Sequence, residues 1–278
     1  MSELAEAVRD SVMTAIAEDR LQLPTLPEVA LTVRAAAEQD DISASELAKV
    51  ISADPGLAVR IVRVANSALY RGSHKVETVA NAVSRLGLKQ TCSLATGFAM
   101  QQIFQATSEV VDRKMRTVWA QSTQVASISA VLASNFTRLR ADQALLAGLT
   151  HNIGTLPVLL FAEEHGRMIG DSITLDAVIE EIHGEIGALI LRSWQFGEEI
   201  AAVPSAYTRY DHGPHPISYV DVVMVAHLQR YAGTNHPCTQ VDWSRIHAFQ
   251  NLGLDPSVEV SQLDDIGEEI EGVMGALQ

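Results

Sequence analysis

The chain has 278 residues, with 34 acidic against 20 Lys and Arg side chains and a formal charge of −14. Such an acidic surface repels phosphate backbones and leaves no electrostatic footprint for nucleic acid. The two cysteines, Cys92 and Cys238, lie far apart with no CxxC spacing, as expected of reduced thiols in a cytoplasmic protein. The acidic, helix-forming start does not read as a signal peptide, and no apolar run is expected to reach the roughly 18–20 residues that span a bilayer.

Aliphatic residues recur at helical spacing and alternating β-branched runs are nearly absent, so an all-α fold is predicted. Residues 3–19 read as an amphipathic helix carrying Leu4, Val8, Val12 and Ile16. Leu23-Pro24-Thr25-Leu26-Pro27 forms an extended lead-in to a helix with Val29, Val33 and Ala36. Ser43 and Glu46 make a capping box for the next helix. Asp54-Pro55 caps the one after, which carries Leu57, Ile61 and Val64 and ends at Asn66-Ser67. A short helix at Thr78–Leu86 stops at Gly87, and an apolar one follows from about Lys89 to Phe104.

A long helix is predicted from Glu109 to Asn135, with Val111, Met115, Val118, Ser122, Val125 and Leu132 buried and Gln121 within that stripe. Next comes Leu145 to Gly154. Its small face, Ala144, Ala147 and Gly148, lets a second helix approach and leaves His151 in a crowded seam. Leu175, Val178, Ile179, Ile182, Ile186, Leu189 and Ile190 mark another amphipathic helix, with His183 at the edge of its apolar face. Pro216 and Asp255-Pro256 read as further helix starts, and His227 shares a side with Val220, Met224 and Tyr231. The late acids Glu259, Asp264, Asp265, Glu268, Glu269 and Glu271 read as a solvated face or a frayed tail.

Five stretches carry a family resemblance: LPTLPEVA, ISADPGLAVRIVRVANSALY, AVSRLGLKQ, GLTHNIG and EEIHGEIGALILRSWQFG. In this order they are similar to the HDOD family (HD-related output domain) over roughly residues 20–215. The resemblance implies a bacterial, two-lobed helical fold. Lobe one would span about 20–107, and from about 108 a second lobe would resemble the HD phosphohydrolase core. Residues 1–19 are then an added helix, and 216–278 a helical extension packing on the second lobe.

Active HD enzymes bind divalent metal through an early His, an adjacent His-Asp pair and a late Asp. Imidazole and carboxylate suit such ions, and the metal activates water. Position by position, these fall near Gln121, on His151-Asn152, and near Ala226-His227. Three of the four depart from the pattern, and an amide oxygen is a poor transition-metal ligand. His151, His183 and His227 could still meet around zinc, or serve as buried polar groups. The resemblance therefore implies a non-enzymatic signalling or scaffold module with no catalytic residue and no cofactor. It would act on an unidentified protein partner of a bacterial signalling pathway, with neither nucleic acid nor membrane as target. The alternative is a metal-dependent phosphohydrolase acting on a nucleotide or phosphodiester. No receiver or nucleotide-cyclase-like segment is read in the chain, so input is expected from another protein or a ligand. Two other clusters stand out. Arg60, Arg63, Arg71, His74 and Lys75 read as solvated helix charge or an anion grip, and the turn 211–216 carries His212 and His215.

Overall fold

The computed structural model describes residues 3–277 apart from 19, 40–41, 71, 166–171, 212 and 214. Helices account for the architecture, with no strand among the described residues. Helix α1 (Glu3–Ala17) precedes the first lobe, which holds α2 (Glu28–Ala37), α3 (Ala44–Ser52), α4 (Pro55–Ala65), α5 (Val79–Leu86) and α6 (Leu88–Ala99), the last tightening into a 3₁₀ turn at Met100–Ile103. Local chemistry places these boundaries. Ser43 and Glu46 form the capping box of α3, Asp54 accepts from the Leu57 amide ahead of α4, and Thr78 caps α5. The Asn66 side chain both donates to and accepts from the backbone of Val76 (2.8 and 2.9 Å), and so pins the loop after α4.

The second lobe follows in chain order: α7 (Glu109–Phe136), α8 (Ala141–Thr150), α9 (Thr155–Glu164), α10 (Ser172–Ser193), α11 (Glu198–Ala201), α12 (Val203–Ala206), α13 (Tyr219–Gln229), α14 (His247–Leu252) and α15 (Asp264–Leu277). Helix α7 packs closely on α8, and α13 lies against both. The reason is steric: a Cβ at Gly148 would lie 2.5 Å from Ala126 Cα, so only glycine admits α7 this near. Gly154 serves the same purpose for α10, whose His183 carbonyl would lie 1.9 Å from an added Cβ.

The two lobes are latched by residues distant in sequence. Helix α6 packs on α8, and the Trp194 indole donates to the Pro24 carbonyl at 2.9 Å. Arg34 of α2 donates to the Trp194 carbonyl at 2.8 Å and lies over the Phe196 ring. The LP-x-LP segment is thus a docking strap as well as a helix lead-in. Helix α1 packs on α10, and α15 packs on both α7 and α4.

Helix α10 ends in a Schellman motif. The Phe196 amide donates to the Leu191 carbonyl, the Gln195 amide donates to that of Arg192, and Gln195 takes a φ of 59°. A side chain in that left-handed conformation is strained. Gln195→Gly should therefore raise stability by about 0.5–1 kcal/mol, read as a higher urea midpoint at an unchanged slope.

Several expectations are corrected. The segment after Pro216 stays extended and the helix begins at Tyr219, because the Asp221 carboxylate accepts from the Ser218 amide and hydroxyl and fixes the start there. Asp255-Pro256 opens a turn instead of a helix, since the Asp255 carboxylate turns back to accept from the Ser257 amide. Leu189 is 39% exposed and does not belong to the buried stripe of α10. Of the two readings of the acidic C-terminal run, the frayed tail is the one that fails: Asp265, Glu268 and Glu271 are the solvated face of α15, whose other face buries Ile270, Val273, Ala276 and Leu277, while Glu269 accepts from Asn135. Finally, Ala141–Glu164 is apolar and long enough to cross a membrane, contrary to expectation. Its most apolar 18-residue stretch is almost wholly buried, because α8 and α9 run through the centre of the fold.

Candidate functional site

Helix α7 contributes Gln121, the α8–α9 turn contributes His151 and Asn152, α10 contributes His183, and α13 contributes His227. All five line one cleft of about 680 Å³. The crowded seam expected around His151 is tight against α7 at Gly148 and against α10 at Gly154, and it opens between them at the imidazole.

Each polar group has a definable state. The His151 Nδ1 lies 2.6 Å from the Gly148 carbonyl, which can only accept, so Nδ1 carries the proton. Burial pushes this imidazole down to about 3, aided by the nearby Arg230, so it is neutral at physiological pH. His183 Nδ1 donates to the Ile179 carbonyl at 2.7 Å, leaving Nε2 to accept from the Tyr207 hydroxyl at 2.9 Å. Burial lowers its pKa too. The His227 pKa is lowered well below the ordinary value, by burial first and then by His151 and Arg230. The His227 Nδ1 is buried with no partner among the described residues. The Ser122 hydroxyl stands 2.7 Å from the Asn152 side-chain oxygen and 2.9 Å from the Val118 carbonyl, sharing one proton between two acceptors.

Residues that sequence reasoning missed complete the cleft. Tyr207, between α12 and the following coil, is buried among the three imidazoles. Its ring centroid is 4.9 Å from His151, 5.8 Å from His183 and 5.0 Å from His227. Arg230 follows α13, lies over the Tyr231 ring at 4.2 Å, donates to the Tyr231 hydroxyl, and leaves its Nε buried without a partner. His236 stacks on Tyr231 at 3.6 Å. Cys238 and Tyr210 close the same side, and burial pushes the Cys238 thiol up. On the opposite rim, Lys114 pairs with Asp176 at 3.0 Å, near the exposed Glu180. A tyrosine or arginine after a short helix carries no spacing signal that would have marked it.

The donor set can be tested against the metal centre that the resemblance implies. Among the described residues, no three His, Cys, Asp or Glu side chains come together as a metal-binding group. Between the three imidazoles lies an aromatic ring, and the Arg230 cation stands close enough to act against a charge on His151 and His227. These residues do not fit a resident dication, which needs deprotonated ligands and local negative charge.

The secondary clusters resolve separately. Arg60 faces a cleft at α4 and the end of α6, whereas Arg63 and Lys75 line a groove against α15; Arg71 lies outside the described residues. The His74 carbonyl accepts from Arg85, a local tie instead of a ligand contact. In the 211–216 turn, His215 lies 3.0 Å from the buried Asp221 carboxylate, and His212 lies outside the described residues. Its backbone contact with Gly213 and then Asp221 raise the His215 pKa.

The fold and this cleft define an all-helical protein built around an HD-type pocket. Residues 23–210 match the HDOD domain family, and the chain belongs to it. A crystallised protein from Shewanella amazonensis SB2B, provisionally named a metal-dependent phosphohydrolase, is 31% identical with a TM-score of 0.89, covering 99% of both chains. An HDOD domain protein from Geobacter sulfurreducens with unknown function shares the fold at 21% identity and a TM-score of 0.64, again over 99% of both chains. A provisionally named signal transduction protein from Marinobacter aquaeolei VT8 shares it at 24% identity and a TM-score of 0.62, over 98% of this chain and 66% of that one. A curated relative, an uncharacterised protein of Treponema pallidum (strain Nichols), is 24% identical over 249 residues, 84% of this chain. The chain spans about half (47%) of that relative's length.

Proposed function

We propose that this HDOD chain is a non-enzymatic signal-transduction module that works through contacts with a protein partner of a bacterial, cytoplasmic pathway, and that its HD-type metal site is degenerate. The observation that carries the reading is Gln121 and Asn152: two neutral amides stand where the resemblance puts a His and an Asp, and no carboxylate replaces them. The rim acids do not compensate, because Glu180 is exposed and Asp176 already faces Lys114. Without that negative charge a dication has little to hold it in the cleft.

A second reading, a metal-dependent phosphohydrolase acting on a nucleotide or phosphodiester, is favoured by the name of the 31% identical Shewanella protein. One measurement separates them. Purified protein should contain no stoichiometric transition metal and should not turn over p-nitrophenyl phosphate, bis-p-nitrophenyl phosphate or a cyclic dinucleotide. One metal per chain with metal-dependent turnover overturns the non-enzymatic reading, and His151→Ala should then remove the metal.

Asn152→Asp sharpens the test by adding charge with almost no change of shape. Asn152 is 8% exposed, so its new carboxylate is desolvated beside a serine that is already shared. In metal-free buffer the variant should lose about 1–3 kcal/mol. Thermal melts should not change on adding Mn²⁺ or Zn²⁺. A melting temperature that rises with either ion would mean that the site still receives metal.

A further inference from the structure

The cleft is lined by a cation that no acid pairs with among the described residues. In a chain of charge −14, the half-buried Arg230 makes no ion pair among the described residues, and its Nε is buried without an acceptor. The unpartnered His227 Nδ1 belongs to the same cleft, a turn away on α13. Buried guanidinium groups are ordinarily paired, and an unused buried donor costs free energy. Arg230 lines a cavity of about 680 Å³, a size that accommodates metabolites, and Lys114, the other cation of that lining, is already paired with Asp176, which marks Arg230 as the position for an anionic ligand.

From this geometry we propose that the cleft binds a small organic carboxylate, its anionic oxygens accepting from Arg230 and its body lying against Tyr207 and Tyr210. A carboxylate suits the site better than a phosphate. One guanidinium is left to face the anion and Lys114 is already paired with Asp176, so a second negative charge would find no second cation. This inference rests on the non-enzymatic reading and supplies its input: a metabolite sensed in the pocket. Turnover and metal content judge that reading, whereas binding in EDTA judges this one.

The probes are sodium benzoate, sodium acetate and inorganic phosphate, titrated at constant ionic strength and pH 7.5 with EDTA present. Benzoate should bind saturably with one site per chain and move the His227 imidazole resonances in long-range ¹H–¹⁵N spectra, with acetate weaker and phosphate weakest. Arg230→Gln should reduce benzoate affinity at least tenfold. Arg192→Gln, which removes an equal charge from the exposed pair with Glu198, should leave it unchanged. Should Arg230→Gln fail to fold, the His227 resonances of the unmodified protein still decide. The absence of a saturable shift overturns the proposal. Tighter binding of phosphate than of benzoate overturns the carboxylate assignment, and an equal loss in Arg192→Gln reduces the effect to net charge.

Discussion

Gly148→Leu should cost about 3 kcal/mol or more, at the upper end of what overpacking a core produces. The reason is geometric. A Cβ at 148 alone lies 2.5 Å from Ala126 Cα and 2.8 Å from the Ala126 amide nitrogen, and both are backbone atoms of α7 that no rotamer change can move. Helices α7 and α8 must therefore separate, along the contact that also sets His151 beside Tyr207. Gly148→Ala gives a graded comparison. Its single methyl should already cost about 1–3 kcal/mol, and Leu should cost more. Urea unfolding with a common slope checks both. A Leu variant within 0.5 kcal/mol of the unmodified protein, an estimate of the usual surface-mutation range, would show that this interface is not close-packed.

Acidification from pH 7 to pH 5 should destabilise the fold by about 2 kcal/mol through His151 alone. The sign follows from the two protonation states. In the unfolded chain His151 takes up a proton near 6.5, whereas burial holds it neutral in the fold down to about 3. The unfolded state thus binds more protons throughout that window, and stability present above 6.5 is lost as the pH falls. His183 and His227, also lowered by burial, act in the same direction. His215 acts oppositely: its raised pKa gives stability that is complete below 6.5 and is lost as the pH rises through its folded value. Equilibrium unfolding at both pH values tests the claim. His151→Asn will be less stable at pH 7, yet its loss on going to pH 5 should be smaller by about 2 kcal/mol. An identical loss in both proteins would mean that His151 is not held neutral.

The site was legible in proportion to how local its determinants are. Gln121, His151, Asn152, His183 and His227 were identifiable from position within the motifs and helical period, and the fold brings all five to one cleft. What the period could not convey was the room beyond them. A small face at Ala144, Ala147 and Gly148 implied a closed seam; the seam closes against α7 at Gly148 and against α10 at Gly154, but opens around His151 into the cleft. The apolar run from α8 into α9 misled in a related way. Composition cannot distinguish a helix buried by protein from one suited to lipid, and here protein supplies the apolar surroundings.

Sequence alone determined the helical class, the starts of α3, α4, α5 and α7, and the family. Caps and hydrophobic period act within a few residues, and the order of motifs is itself a property of the chain. Tertiary structure alone decided that Tyr207 fills the space between the three imidazoles, that Arg230 enters the cleft without a carboxylate, and that Trp194 reaches the Pro24 carbonyl 170 residues away. Those placements depend on which helix faces pack together, and a side chain's neighbours across such a contact are set by the approach of two backbones, which no spacing along one of them records.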